Sequence, residues 1–273
     1  MDWHIHWEVL GLLLLLEGGY LLAVGPLRGR FVWPQLVRPS RREVVLFSLG
    51  VFVIFLAEGT PLHELSEQYL FSVHMTQHLL LTMLAVPLLL LGTPAWLIRP
   101  LLGHPLLGVA LRWATRPLIA IVLFNGTLAF WHLPQLYELT LWDHNAHILE
   151  HLMFMATAVC LWWPVLSPLP ELPRLSYPLQ MLYLFVQSLV PAVIASLITF
   201  ADRMIYPTYA AAPRIVPLAP LADQQLGGLI MKTVGTVVLW LVATIIFFLW
   251  VHQEGREPQE GPEPAPPRAA ERS

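Results

Sequence analysis

Two pairs of histidines stand four residues apart in apolar segments of this 273-residue chain: His74 with His78, and His147 with His151. Residues at positions i and i+4 share one face of a helix, so each pair can direct two ring nitrogens to one point. Imidazole is a good ligand for copper, zinc, iron and nickel, and copper(II) binds most tightly at comparable nitrogen sites. The spacing therefore predicts a metal site built from two helices.

Further candidate ligands flank these pairs. His132 ends an apolar segment within the sequence Trp-His-Leu-Pro, and Met75 offers a soft thioether that suits copper(I). The only cysteine, Cys160, excludes an intramolecular disulfide and a CxxC thiolate site. Four other histidines, taken singly, are interpreted as packing or interfacial residues: His4, His6, His63 and His104.

The second pair also carries a glutamate, so that residues 147–151 read His-x-x-Glu-His. In one class of zinc proteases the two histidines of this motif bind the metal and the glutamate acts as base. On a helix Glu150 is turned by about 60° from the line through the two histidines. It can therefore orient a ligand instead. Besides copper binding, three alternatives stay open: a zinc hydrolase, a haem protein with axial histidines from two helices, and a purely scaffolding protein.

The elements that must position these residues are membrane helices. The chain is 56% hydrophobic and 12% charged, against roughly a quarter charged in soluble domains. Apolar runs recur near the ~20 residues that a helix needs to cross a bilayer. We predict an all-α, polytopic bundle of seven transmembrane helices, at about 8–25, 44–61, 70–91, 117–133, 147–164, 178–199 and 229–250. A shorter apolar stretch, 101–111, is expected to lie along the interface.

The basic residues predict the orientation of this bundle. Cytoplasmic loops are enriched in Lys and Arg. Twelve of the fifteen basic residues fall on alternate connections and the tail: Arg28, Arg30, Arg38, Arg41, Arg42, Arg99, Arg112, Arg116, Arg174, Arg256, Arg268 and Arg272. The N-terminus is therefore expected outside and the C-terminus in the cytoplasm. Residues 1–253 form the membrane domain, and 254–273, rich in Pro, Glu and Arg, are predicted to be a disordered cytoplasmic tail.

This topology gathers nine of the eleven histidines at the outer side. Asp223, just before the seventh predicted span, lies on the same side, where its carboxylate can approach the histidines. A helix-capping role explains Asp223 equally well. The net charge of −3 is too small to indicate a polyanionic partner, so no nucleic acid is expected.

Several motifs together resemble one known family. Residues 74–80 read HMTQHLL, 131–134 read WHLP, and 147–151 are followed by Trp-Trp-Pro at 162–164. A later stretch, 223–231, reads DQQLGGLIM. In this order they resemble the multi-spanning CtaG family of cytochrome c oxidase assembly factors, which is distinct from the single-span copper chaperone of the same name. At Lys232 the chain departs from the family pattern, which often continues with Trp.

The resemblance implies a non-enzymatic factor that helps to build a haem–copper oxidase in the bacterial plasma membrane by handling copper. Its expected partners are the lipid bilayer, the oxidase subunits and a copper donor protein. Together with the spacing, this predicts transient copper binding through His74, His78, His132, His147 and His151. Three auxiliary ligands are predicted beside them: Met75, Glu150 and Asp223. Haem and zinc are the alternative cofactors.

Overall fold

The computed structural model describes residues 7–27 and 39–256, and all regular structure in these two stretches is helical. The helices are α1 (Trp7–Val24), α2 (Arg41–Glu58), α3 (Pro61–Gln68), α4 (Phe71–Leu79), α5 (Val86–Gly92), α6 (Ala95–Gly103), α7 (Pro105–Ala114), α8 (Pro117–Trp131), α9 (Pro134–Trp142), α10 (His144–Leu166), α11 (Tyr177–Thr199), α12 (Pro207–Ala211) and α13 (Pro220–Glu254). A π-helical segment, Leu80–Ala85, joins α4 to α5. His4, His6, Arg28, Arg30, Arg38 and most of the predicted tail lie outside the described residues.

Five helices in the described part are by themselves long and apolar enough to cross a membrane: α1, the continuous helix Phe71–Gly92, α10, α11 and α13. Two further candidates are bent pairs, α2 with α3 at 46° and α7 with α8 at 86°. The count is therefore five spans, or up to seven if each bent pair is one span. The sequence prediction of seven lies at the upper end of this range, and the orientation stays a prediction.

The last helix differs most from its predicted bounds. α13 begins at Pro220, whereas the apolar run predicted a span from 229, and it continues to Glu254. The additional N-terminal turns contain Asp223 and Gln224, which are both fully buried. Their side chains hydrogen-bond to neighbouring segments, so polar residues that resemble a loop in the sequence extend the helix inside the protein.

Helix Phe71–Gly92 lies at the centre of the bundle and packs against α2, α10 and α13. Its buried side chains, including Phe71, Met75 and Leu81, fill the core between these helices. The large apolar residues that face outward are exposed, as Leu14 (73%) and Leu197 (68%) show. Such a surface is stable where the surrounding solvent is lipid.

The π-helical segment begins two residues after His78, the second histidine of the α4 pair. The Thr82 hydroxyl donates to the carbonyl oxygen of His78 at 2.7 Å. The indole of Trp162 on α10 donates to the Thr82 carbonyl oxygen at 2.9 Å. The first is the usual bond of a helical threonine to the carbonyl one turn earlier, and the second joins α10 to the π-helical segment. α10 is thereby hydrogen-bonded to the central helix Phe71–Gly92 one turn beyond His78.

Gly92 provides a close contact between α5 and α2. The Tyr20 hydroxyl donates to the Gly92 carbonyl oxygen at 2.7 Å, and the Tyr20 ring stacks on Phe47 with centroids 3.7 Å apart. A Cβ atom at position 92 would lie 2.3 Å from the backbone nitrogen of Phe47 and 2.7 Å from its Cα. Only glycine fits without moving the two helices apart.

We therefore expect Gly92→Ala to destabilise the folded protein by about 1–3 kcal/mol, because overpacked cores typically lose that much. Thermal unfolding in detergent should show a lower Tm. Gly126→Ala is the matched control, since a Cβ there meets nothing within 4 Å. Equal Tm values for the two variants would contradict the assigned contact.

Candidate metal centre

Two helices bring four potential ligands to one place. α4 supplies His74 and His78, and α10 supplies Glu150 and His151. One ligand atom from each residue lies within 4.8 Å of those from the other three. We call these four residues the buried cluster: His74 and Glu150 are fully buried, and His78 and His151 are less than a tenth exposed.

The nitrogen atoms of the α4 pair face each other. His74 Nε2 and His78 Nε2 are 2.7 Å apart, and His78 Nε2 is 3.8 Å from Glu150 Oε1. The His78 and His151 rings meet edge to face, with centroids 5.0 Å apart. Two ring nitrogens can approach this closely if one is protonated and donates to the other, or if a shared cation lies beside both.

Several ligand atoms of the buried cluster have no hydrogen-bond partner. They are His151 Nε2 and both carboxylate oxygens of Glu150. Thr140 lies beside Glu150, but its hydroxyl proton is donated to the Tyr137 carbonyl oxygen. Unpaired buried polar groups each cost about 1–3 kcal/mol and are rare in native proteins. A cation bound among them would satisfy the nitrogen and both oxygens, so the donor set fits a metal ion.

Residues outside the cluster orient its histidines. Glu58, the last residue of α2, contacts His151 Nδ1 through Oε1 at 2.7 Å. This contact directs Nε2 of His151 towards the cluster, as outer carboxylates commonly do for metal-binding histidines. Tyr209 lies 3.4 Å from His74 Nδ1 and donates to the Ser66 carbonyl oxygen at 2.7 Å. Burial raises the pKa of Tyr209 well above its ordinary value, so this hydroxyl stays protonated.

A second group of ligands lies against the first. One ligand atom each of His63, Glu67 and His147 also lies within 4.8 Å of the other two, and we call this set the peripheral cluster. His147 Nδ1 is 2.6 Å from Glu67 Oε1, and His63 Nε2 is 3.5 Å from the same oxygen. His147, predicted with the other site histidines, thus has Nδ1 in the peripheral cluster, while its buried Nε2 has no partner.

His132 and Met75 lie beside the buried cluster. Both line a cavity of about 40 Å³ that also borders His78. His132 Nδ1 is 2.8 Å from the Leu128 carbonyl oxygen, and its buried Nε2 has no partner. The structure therefore places these two predicted ligands next to His78, with the cavity between them, rather than within the group of four.

Asp223 hydrogen-bonds to the first turn of α4. Its carboxylate accepts the backbone N–H groups of Phe71 at 2.8 Å and Ser72 at 3.3 Å, and also the Ser72 hydroxyl. It caps the first turn of α4 from α13, and it belongs to neither cluster. These bonds agree with the capping role that the sequence left open for Asp223, and its role as an auxiliary ligand stays a prediction.

Three residues at the site were missed by reasoning from the sequence: Glu58, His63 and Glu67. Glu58 ends α2, and the other two lie on the short helix α3 beyond a break at Gly59. One sequence pattern could have identified two of them. His63 and Glu67 are four residues apart, as are the two histidines of each pair.

The chain matches the family of cytochrome c oxidase caa3 assembly factors over residues 18–253. It is also 25% identical over 203 residues to proteins named uncharacterized from Mycobacterium bovis and Mycobacterium tuberculosis. These matches cover 68% of this chain but 31% of each mycobacterial protein, so the chain spans about a third of the length of these curated relatives. No solved structure matches the chain. The family match confirms the resemblance in the sequence motifs, and the chain belongs to the cytochrome c oxidase caa3 assembly factor family.

Proposed function

We propose that this protein supports the assembly of a haem–copper oxidase by binding a copper ion at the buried cluster and delivering it. The observation that carries the proposal is the convergence of four buried ligands whose unpaired nitrogen and oxygen atoms point at one another. Family membership supports the oxidase as the target.

The donor set favours copper among the metals that imidazole binds. Three imidazoles and one carboxylate form a nitrogen-rich set, for which copper(II) has the highest affinity of the divalent first-row ions. Met75 lines the adjoining cavity with His78, and its thioether can stabilise copper(I). This set of imidazoles with one carboxylate also suits delivery. Such ligands release a metal ion more readily than a closed shell of thiolates does.

The proposed orientation places this chemistry at the outer face of the plasma membrane. The basic residues favour seven spans with the N-terminus outside. The buried cluster lies at the end of the bundle where α10 begins and α2 ends, which is the outer end in that orientation. Copper arriving from outside, or from a donor protein there, would then reach the site without crossing the bilayer.

The geometry gives less support to the alternative ligands. Pockets for drug-sized and larger cofactors typically enclose 300 Å³ or more. The cavity beside His78 and His132 measures about 40 Å³, which holds an ion or water but not a porphyrin. A larger groove of about 310 Å³ at His147 and His151 does not border His74, His78 or His132. A hydrolase would need a water molecule and a substrate at Glu150, and this residue is fully buried.

Metal analysis of the full chain, purified in detergent from cells grown with added copper, tests the proposal. We expect close to one copper per protein at the buried cluster and no Soret absorption band. A Soret band would indicate haem, bound zinc would indicate a zinc protein, and no metal would indicate scaffolding. Each of these three results would overturn copper delivery.

A further inference from the structure

We propose that the peripheral cluster is a second, transient copper site that receives the ion from solvent and passes it to the buried cluster. This inference rests on the proposed function, since it concerns how the same ion reaches the same site. It assigns to His63, Glu67 and His147 a role in the rate of loading rather than in final affinity.

The peripheral cluster has the ligands and the exposure that an entry site needs. Two imidazoles and a carboxylate meet at Glu67 Oε1, with distances of 2.6 Å to His147 Nδ1 and 3.5 Å to His63 Nε2. The Glu67 side chain is 25% exposed, whereas Glu150 in the buried cluster is fully buried. An ion from solvent can therefore contact Glu67 before it can contact any carboxylate of the buried cluster.

A groove also reaches the two clusters from the surface. It measures about 310 Å³, lies between α1, α2 and α10, and is bordered by His63, His147 and His151. Its acidic residues stand at helix ends, with Glu8 in the first turn of α1 and Glu58 as the last residue of α2. Carboxylates that line a groove with apolar walls raise the local concentration of cations.

The two clusters are joined by the histidine pair of α10. The His147 and His151 rings are one helical turn apart, with centroids separated by 4.2 Å. His147 offers Nδ1 to the peripheral cluster and holds an unpaired, buried Nε2, while His151 Nε2 belongs to the buried side. An ion can therefore exchange ligands one at a time between the clusters without losing all of them at once.

Glu58 contacts one histidine of each cluster. Its Oε2 is 3.2 Å from His63 Nδ1, and its Oε1 is 2.7 Å from His151 Nδ1. One carboxylate thus supports a histidine of each cluster and supplies negative charge between them. The transfer makes and breaks only metal–ligand bonds, so the ion keeps its oxidation state and no electron donor is required.

The rate of copper loading distinguishes an entry site from a purely structural His–Glu contact. Full-length protein stripped with a chelator would be mixed with copper(II), desalted at set times and analysed for bound copper. Glu67→Gln should load at least about 10-fold more slowly and still reach the final copper content of the unmodified protein. Asp202→Asn is the matched control, because it also removes an exposed carboxylate charge, and it should load at the unmodified rate.

A second variant shows whether slow loading of Glu67→Gln is caused by a folding defect. Glu67→Asp keeps the carboxylate on a side chain one methylene shorter, and it should recover part of the loading rate. Glu67→Gln loading at the unmodified rate, or binding less copper at equilibrium, would overturn the entry site. Absence of bound copper in the unmodified protein would instead overturn the proposed function itself.

Discussion

Replacing both His78 and His151 with alanine should reduce copper affinity by more than about 100-fold, since loss of an outer partner alone costs 10- to 100-fold. The two residues supply one ligand from each helix, and their rings meet with centroids 5.0 Å apart. Their removal leaves His74 and Glu150 as the remaining members of the buried cluster. Copper content after purification, measured against protein concentration, should fall from near one per chain to background.

The control for this experiment removes two exposed histidines outside the groove between α1, α2 and α10, in the variant His104→Ala/His252→Ala. Its copper content and the oxidase activity of its membranes should equal those of the unmodified strain. Membranes that carry the His78/His151 variant should instead lack copper-dependent oxidase activity while the variant itself is still present in them. Unchanged copper content in that variant would show that the ion is bound elsewhere or not at all.

Asp223→Ala should destabilise the protein by on the order of 3 kcal/mol or more, because each buried donor left without an acceptor costs about 1–3 kcal/mol. The fully buried carboxylate accepts hydrogen bonds from the Phe71 and Ser72 N–H groups and from the Ser72 hydroxyl. Alanine leaves all three donors buried without an acceptor. Thermal unfolding in detergent should show a large fall in Tm, and Asp223→Asn a smaller one.

Asp143→Ala provides the comparison for this variant. Asp143 also caps a helix, accepting the N–H groups of Asn145 and Ala146 at the start of α10, but it is exposed. Loss of an exposed cap typically costs about 1 kcal/mol. If the two alanine variants lowered Tm equally, the burial of Asp223 would not have the assigned effect.

Most of the helices could be predicted from the sequence because long apolar runs have few alternatives in a bilayer. The start of α13 could not, since Asp223 and Gln224 read as a polar loop and are buried only because α4 and the segment before α12 supply their partners. The bend between α2 and α3 was also missed. It falls at Gly59 and Thr60, inside the apolar run that was predicted as a single span.

The candidate site was predictable where ligands repeat on one helix. Spacing of four residues identified His74 with His78, and His147 with His151, and the structure brings three of these four into the buried cluster. The same spacing could not show that His147 turns its Nδ1 to Glu67, because that contact joins α10 to α3. Nor could it show that Glu58 supports His151, since 93 residues separate them in the chain.

The π-helical segment between α4 and α5 determines how the two halves of one continuous helix are rotated relative to each other. Each residue of an α-helix turns the chain by about 100°, so one residue accommodated in a wide turn rotates everything beyond it by that amount. The half that carries His74 and His78 can thus pack against α13 and α3, while the half that ends at Gly92 packs against α2 and α10. The number of residues in Leu80–Ala85, more than their identity, therefore determines the rotation of the half that carries His74 and His78 relative to the half that ends at Gly92.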